Sequence, residues 1–494
     1  MTDLLALLAL AAGALFAALS SGRWQIPMAA WLAPLLLLLF SRTADAVPAM
    51  AGLFVALFSA ALVAYRGTVP VSRRTYTVMM AVQSALALLP FGIDRLLYPG
   101  IDGVAATLVF PILWTALEFA GARTSPFGSW GSSAYSQYGN LPLTQLAALT
   151  GIWGITFLIA WVGSVGGWAL DQGLGSSEVQ AGILLCAAVV SLVLVGGGAR
   201  IAFAGRSPRR VRVATVGRLD RLLSPGEIMG ILGDEDPDET ERRRARTSFE
   251  AVNNQLLVAA EREARAGARL VVWPEADAMV VAEDEPALLD RARALARSCQ
   301  VHLLMGIVTV RTGGGRYLEN KAVLVDPSGN VVATYLKSRP VPGWEESVSL
   351  PGDGRLPLVE TGLGRVAAAI CFDLDFPEQI RQAGRARADL LLVPASDWPA
   401  IGSLHHAMAT FRAVENGLSL VRAARFGVSA AVDAFGRVVG SAEQVVGGES
   451  LAVELPIGSR ATPYVLVGDL FAWACLAGAI ALAVRAAALL VGIV

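Results

Sequence analysis

The chain has 494 residues, 54% of them apolar and only 16% charged, with a mean hydropathy of +0.55, too apolar a balance for an ordinary soluble enzyme. A net charge of −1, with no basic cluster carrying interleaved aromatics, gives no ground for a nucleic-acid partner. Four scattered cysteines (Cys186, Cys299, Cys371, Cys475) exclude a disulfide framework and a cysteine zinc site, so no metal is expected.

Taken in chain order, uncharged stretches occupy residues 4–22, 24–41, 46–65, 75–93, 103–117, 141–170 and 179–199. Crossing the hydrocarbon takes roughly 20 helical residues, so residues 1–205 read as an N-terminal transmembrane bundle of about seven helices. The fifth stretch reaches spanning length only if its helix continues through Glu118 to Arg123. The sixth is long enough to break at Gly151 or Gly154. The first lacks a basic leader and is followed by further spans, so it reads as a retained helix and not a cleaved signal. Far downstream, the apolar run 470–484 precedes Arg485 and reads as a closing transmembrane helix within residues 461–494.

Between these lies a segment of different texture, residues 206–460. Short β-branched runs at 211–216, 270–273, 301–310, 321–325, 331–335, 366–370 and 390–393 read as strands. Charged, helix-periodic stretches at 239–265, 285–298, 378–387 and 403–415 read as helices. Asp326-Pro-Ser-Gly-Asn330 and Asp433-Ala-Phe-Gly436 read as hairpin turns. The acidic run 233–241, followed by Arg242–Arg244, reads as the first turn of a solvated helix. The mixture predicts a layered α/β domain.

Only two lysines occur, Lys321 and Lys337, so 38 of the 40 basic residues are arginine. A lysine that survives such a bias marks a position where a planar guanidinium will not serve. Lys337 ends a strand before a proline-rich loop, where an ammonium can clamp a developing oxyanion. Lys321 reads as an incidental survivor. Glu275, in Trp273-Pro-Glu-Ala-Asp277, follows directly on a strand, which suits a partly desolvated general base. Cys371 follows the apolar run Val366-Ala-Ala-Ala-Ile370. At the junction of a strand and a following helix it lies near backbone amides that lower a thiol pKa. Asp373 and Asp375 follow closely and also suit helix caps.

Glu275, Lys337 and Cys371, in this chain order, resemble the catalytic set of the nitrilase (carbon–nitrogen hydrolase) superfamily. The likeness extends to Asn320, the turn at Asp326–Asn330, and Arg412, Glu415 and Gly417. In the membrane half, Trp114 to Glu118, the stretch 125–140 and Gly151-Ile-Trp-Gly154 resemble the apolipoprotein N-acyltransferases. Lys337-Ser-Arg-Pro-Val-Pro-Gly-Trp-Glu345 is similar to the loop after that family's lysine.

The resemblance implies a multi-pass helical bundle joined to an α-β-β-α sandwich. It implies an acyl chain taken from a phospholipid, held as a thioester on Cys371 and passed to the lipidated N-terminal cysteine of a lipoprotein, without a cofactor. Glu275 would be the base and Lys337 the oxyanion clamp, the latter helped by a backbone amide near Phe372 and supported by Glu345 and Asp373. Trp130, Tyr135, Tyr138, Trp344 and Trp398 are candidates to line a lipid-facing mouth. It implies a bacterial inner membrane, with the domain on the periplasmic side. Arg23, Arg66, Arg73, Arg74 and Arg123 would then lie outside against Arg42 and Arg95 inside, the reverse of the usual bias.

Departures fall in loops that shape specificity. Asp373 stands where that family carries Glu, Gly343-Trp344 replaces Phe-Gly, and the segment Ser396 to Gly402 is short. Arg425-Phe426 stands where small polar residues are usual. Two other readings use the same residues: a membrane-tethered amidase, in which water resolves the thioester, and an inactive lipid-binding homologue.

Overall fold

The structure, a computed structural model, describes residues 3–205, 209–217, 239–311, 316–443 and 450–492. It divides into two compact units, one made of residues 1–204 with 466–494 and the other of residues 205–465.

In the first unit the main helices are α1 (Asp3–Leu19), α2 (Pro27–Thr43), α3 (Ala46–Ala64), α4 (Arg73–Leu97) and α5 (Val109–Thr124). The one-turn α6 (Leu141–Thr144) and α7 (Ala147–Thr150) follow, then α8 (Trp153–Gln172), α9 (Ser177–Ala202) and a closing helix at Leu470–Leu490. Among the described residues six helices are long and apolar enough to cross a membrane, five before the second unit and one after it. Two of the expected seven N-terminal spans, α1 and α2, come to only 17 residues each. The fifth stretch does run on through Glu118 to Thr124, and the sixth breaks at Gly151, whose φ of 65° ends a helical turn before α8 begins.

The faces follow the solvent. α3 buries Ala49, Leu53, Ala56, Ala60 and Ala64 on one stripe while presenting Val47, Val55 and Val63 outward. A helix apolar all round, with small residues on its packed side, suits lipid on the other. α8 is the central helix of this unit, with 78% of its spanning window buried. One ion pair crosses the interior: Arg42 meets fully buried Asp94 through Nε (2.9 Å) and Nη2 (3.0 Å) and lies over the Tyr98 ring at 3.7 Å. Arg42 is therefore a bundle residue and not a loop cation, and Arg95 likewise donates to the Ser41 carbonyl.

The second unit has two facing sheets. Strands β1 (Arg210–Thr215), β2 (Leu270–Val272), β3 (Ala278–Val281), β4 (His302–Val310), β5 (Leu318–Val325) and β6 (Val331–Leu336) belong to one. Strands β7 (Leu358–Thr361), β8 (Gly364–Ala368), β9 (Leu390–Ser396), β10 (Ser419–Arg425), β11 (Val428–Val432) and β12 (Val438–Glu443) form the other. β13 (Leu451–Pro456) returns to the first sheet beside β1, giving the orders β13-β1-β2-β4-β5-β6, with β3 on β4, and β12-β11-β10-β9-β8-β7. Alternation fixes the layers. Leu270 and Val272 of β2, Leu304 of β4, and Ala322 and Leu324 of β5 point between the sheets with Val366 and Leu390. Their neighbours Val271, Leu303, Met305 and Val323 point outward, under α10 (Glu239–Arg265) and α11 (Glu285–Cys299). The one-turn α12 (Trp344–Val348), then α13 (Pro377–Arg385) and α14 (Gly402–Asn416) follow along the chain. Ile380 and Ala383 of α13 and Ala409 and Ala413 of α14 pack on the second sheet, completing the α-β-β-α order.

All seven expected strands and all four expected helices are present, and both turns sit where a hairpin needs them. β3, β7 and β10 to β13 were not expected. The acidic run 233–241 lies outside the described residues up to 238, and Glu239 opens α10. The unit continues past Arg460 through Val465, because Thr462 donates to the Glu415 carbonyl at 2.6 Å and Tyr464 is fully buried.

Candidate active site

Glu275, Lys337 and Cys371 each stand just beyond the carboxyl end of a strand: β2, β6 and β8. Rigid strands bring them together although 62 residues separate the first two. Gly306 of β4 lies against the Pro274 carbonyl, where any Cβ would collide, so this glycine lets the Glu275 loop settle on the sheet. Arg425 Nη1, at the end of β10, holds that loop from the other side through the Ala276 carbonyl (3.0 Å).

Lys337 is the hub. Its Nζ lies 2.7 Å from Glu275 Oε1 and 2.8 and 2.9 Å from the two oxygens of Glu345, and the side chain is 2% exposed. Burial alone would push the ammonium down, but Glu275 and Glu345 more than offset it and hold it well above its ordinary value. Asn320 Nδ2 spans the same two carboxylates, at 2.7 Å from Glu275 and 3.1 Å from Glu345. Glu345, in the first turn of α12, also accepts from the Val341 amide at 2.8 Å. Glu275 Oε1 is thus engaged twice, while the buried Oε2 has no hydrogen-bond partner among the described residues. That is the oxygen left to take a proton.

Cys371 opens a five-residue 3-10 turn, Cys371–Asp375, with φ at +46°, a left-handed conformation costly for a residue with a Cβ. The expected depression of its pKa is reversed. Burial first, then the Glu275 carboxylate, push the thiol up to about 12, and a hydrogen bond with His405 and the charge of Lys337 only partly offset them. One short turn offers too little amide field to compete with desolvation. At rest Cys371 is a thiol, and ionising it calls for a base.

Asp373 does not touch Lys337. Its Oδ2 accepts from the Ile370 amide (2.9 Å) and Tyr335 hydroxyl (2.8 Å), and its Oδ1 from the Ser338 hydroxyl and Arg339 amide (both 3.0 Å). It splices the start of the Cys371 turn to the loop after Lys337. Burial raises its carboxyl to about 6, against the donors and Lys337 that favour the anion. The Phe372 ring is buried edge-on against Phe376, with centroids 5.5 Å apart.

The aromatic candidates divide between the two units. Trp344 is 46% exposed at the start of α12, and Trp398 lies edge-on to the His405 ring. In the membrane unit Trp130 and Tyr135 are buried, Trp130 stacked on Phe127 and Tyr135 with its hydroxyl 2.7 Å from Ser129 Oγ, whereas Tyr138 is exposed.

Lys321 is not incidental. It is buried, with Nζ 2.6 and 2.7 Å from the oxygens of Glu285 and 3.1 Å from Glu319. Both lysines of the chain are therefore interior ammonium groups gripped by two carboxylates each.

A cluster that the sequence did not announce adjoins Cys371. His405 of α14 places Nδ1 2.9 Å from Asp397 Oδ1 and Nε2 3.3 Å from Asp375 Oδ2. Arg422 Nη2 meets both Asp397 oxygens at 2.7 Å. Gly427 admits Asp397 where a Cβ would strike its carboxylate. Burial alone would lower the His405 pKa, but Asp375 and Asp397 raise it well above the ordinary range. The available signal was thin: three histidines in the chain, two of them adjacent in one helix. Ligand atoms of Cys371, Asp397 and His405 lie within 4.8 Å of one another, a spacing a metal could use. The Arg422 guanidinium already fills the Asp397 carboxylate, so this donor set does not fit a cation.

Comparison with known proteins agrees with both halves. Residues 244–452 match the carbon–nitrogen hydrolase family, and residues 11–165 match the apolipoprotein N-acyltransferase N-terminal domain. An apolipoprotein N-acyltransferase of Geobacter metallireducens is 31% identical over 442 residues, covering 83% of this chain and 80% of that one. One from Azotobacter vinelandii is 31% identical over 397 residues, covering 74% and 70%. Among solved structures, an amidase from Nesterenkonia sp. is 24% identical, with a TM-score of 0.43 over 53% of this chain and 97% of that one.

Proposed function

This chain belongs to the apolipoprotein N-acyltransferase family, and on that premise we propose that it is a bacterial membrane acyltransferase working through a Cys371 thioester. The observation that carries the chemistry is the Lys337 ammonium bridging Glu275 and Glu345 beside a buried Cys371.

Glu275 Oε2 takes the Cys371 proton as Sγ bonds to the ester carbonyl carbon of a phospholipid. The displaced electron pair becomes an oxyanion facing Lys337, which keeps its charge across the working pH range. Collapse breaks the ester C–O bond, and Glu275 returns the proton to the lysophospholipid alkoxide. The α-amine of a diacylglyceryl lipoprotein then attacks the thioester and gives its proton to Glu275. The second oxyanion collapses, expelling the Cys371 thiolate, which recovers that proton. No step calls for a cofactor, since nucleophile, base and oxyanion donor are all side chains. Orientation, with the catalytic unit on the periplasmic side, is taken from the family.

The test is a full-length preparation given phospholipid with and without a diacylated lipopeptide. An acyl group trapped on Cys371 without acceptor, and moved to the peptide amine with it, supports the reading. Release of free fatty acid with the peptide unmodified would make it a hydrolase, and no acyl-enzyme on any residue would end the covalent scheme.

A further inference from the structure

We infer that His405, clamped as an imidazolium between Asp375 and Asp397, is a further catalytic residue that stabilises the Cys371 thiolate whenever it forms. This rests on Cys371 being the nucleophile. The ring lies against the thiol, its nitrogens facing Asp397 Oδ1 at 2.9 Å and Asp375 Oδ2 at 3.3 Å. Two carboxylates on one buried imidazole leave a neutral ring poorly satisfied, since a neutral ring donates from one nitrogen only. Arg422 from β10 ties down Asp397 on both oxygens, so Asp397 cannot turn away.

Every charged or titratable group facing this ring has a place in the balance. Asp375 comes from the Cys371 turn, Asp397 from the end of β9, Arg422 from β10, and Arg412 from α14 itself; Glu275 and Lys337 act on the thiol from the first sheet. His406, the next residue, is held down to about 4 by burial first and then by Arg422, so it stays neutral. With Arg422 spent on both oxygens of Asp397, His405 is the cation set against the sulfur itself on the second-sheet side, as Lys337 is a cation on the first.

The role involves no proton transfer. Glu275 still takes the thiol proton, and His405 keeps its own. Its charge favours sulfur's negative state both when Sγ attacks the ester and when the thiolate leaves the second tetrahedral intermediate. A thiol in this pocket would be harder to ionise without it.

Alkylation of Cys371 by iodoacetamide in the full-length protein, followed by mass spectrometry across pH, reads the thiolate directly. His405→Gln is expected to slow labelling on the order of tenfold at fixed pH, the effect of about one unit of thiol pKa. It should lower kcat of acyl transfer by a similar factor and leave KM unchanged. Asp375→Asn loosens the clamp, so the imidazolium should lose its proton at a lower pH. The logarithmic rate should then flatten through that titration, where the wild type rises steadily. Wild-type labelling in His405→Gln, or an unflattened profile in Asp375→Asn, overturns the inference; if His405→Gln does not fold, the Asp375→Asn profile decides alone. Labelling reports the thiol and not the acyl group, so a missing acyl-enzyme would sink the acyl-transfer reading separately.

Discussion

Asn320 and Lys321 are adjacent on β5 and serve opposite faces of one sheet. Asn320 turns inward to Glu275 and Glu345, and Lys321 turns outward to Glu285 of α11 and Glu319 of its own strand. The period of two along a strand separates a contact in the candidate site from one between sheet and helix within a single peptide unit.

Lys321→Arg should therefore cost stability and spare chemistry. The larger planar head must fit where an ammonium sits within 2.6–3.1 Å of three carboxylate oxygens. Overpacking of this kind costs about 1–3 kcal/mol. Thermal or denaturant midpoints of the detergent-solubilised protein should fall while activity per folded molecule stays at the wild-type level. An unchanged midpoint would mean the site accepts either cation.

Lys337→Arg should be nearly as damaging to turnover as Lys337→Ala, each losing on the order of 10²–10³ in rate, the usual cost of one oxyanion donor. The guanidinium keeps the charge but spreads its donors in a fixed fork. Near-normal turnover by the arginine variant would remove the need for a compact ammonium.

Asn320→Ala should lower kcat about tenfold with little change in KM, because it frees Glu275 Oε1 of one donor and lets the base rotate. Steady-state kinetics with a lipopeptide acceptor decide this, and an effect confined to KM would place Asn320 in substrate binding instead.

Glu275→Gln should abolish turnover yet speed alkylation of Cys371. The carboxylate is the second cause, after burial, of a thiol raised to about 12, so neutralising it brings the thiol pKa down. Below that pKa the thiolate fraction, and with it the labelling rate at fixed pH, must then rise. Slower labelling would show Glu275 already holding the proton at rest.

Cys371→Ser should leave a folded membrane protein without turnover, since a hydroxyl is far less acidic than a thiol. Retained midpoint and lost activity are expected together, and measurable transfer by the serine variant would point to another nucleophile.

That Glu275, Lys337 and Cys371 would meet was legible because each follows an apolar strand run, and strand ends place side chains reproducibly. Lys321 was misread for the opposite reason. Glu319 sits two residues earlier on the same strand face, a visible clue, but Glu285 comes from another element and closes the cage only in three dimensions. His405 drew no notice because its partners arrive from the Cys371 turn and from β9. β10, in Ser419-Leu-Val-Arg-Ala-Ala-Arg425, is buried along most of its length yet carries two arginines, one needed by Asp397 and one by the Glu275 loop. Charge placed for the site hid the strand. α1 and α2 read as full spans from composition, but helix ends are set by backbone caps and turns that hydropathy does not encode.

The Arg42–Asp94 pair restricts how this bundle can drift. Either residue replaced alone leaves the other's charge stranded where neither water nor a counter-ion reaches it, a state membrane proteins rarely tolerate. The two codons should thus behave as one heritable unit, passing between generations together or being exchanged together for neutral residues. A library randomised at both positions and selected for membrane accumulation should return paired solutions and almost no single replacements. Abundant single replacements would show that the two sites vary independently.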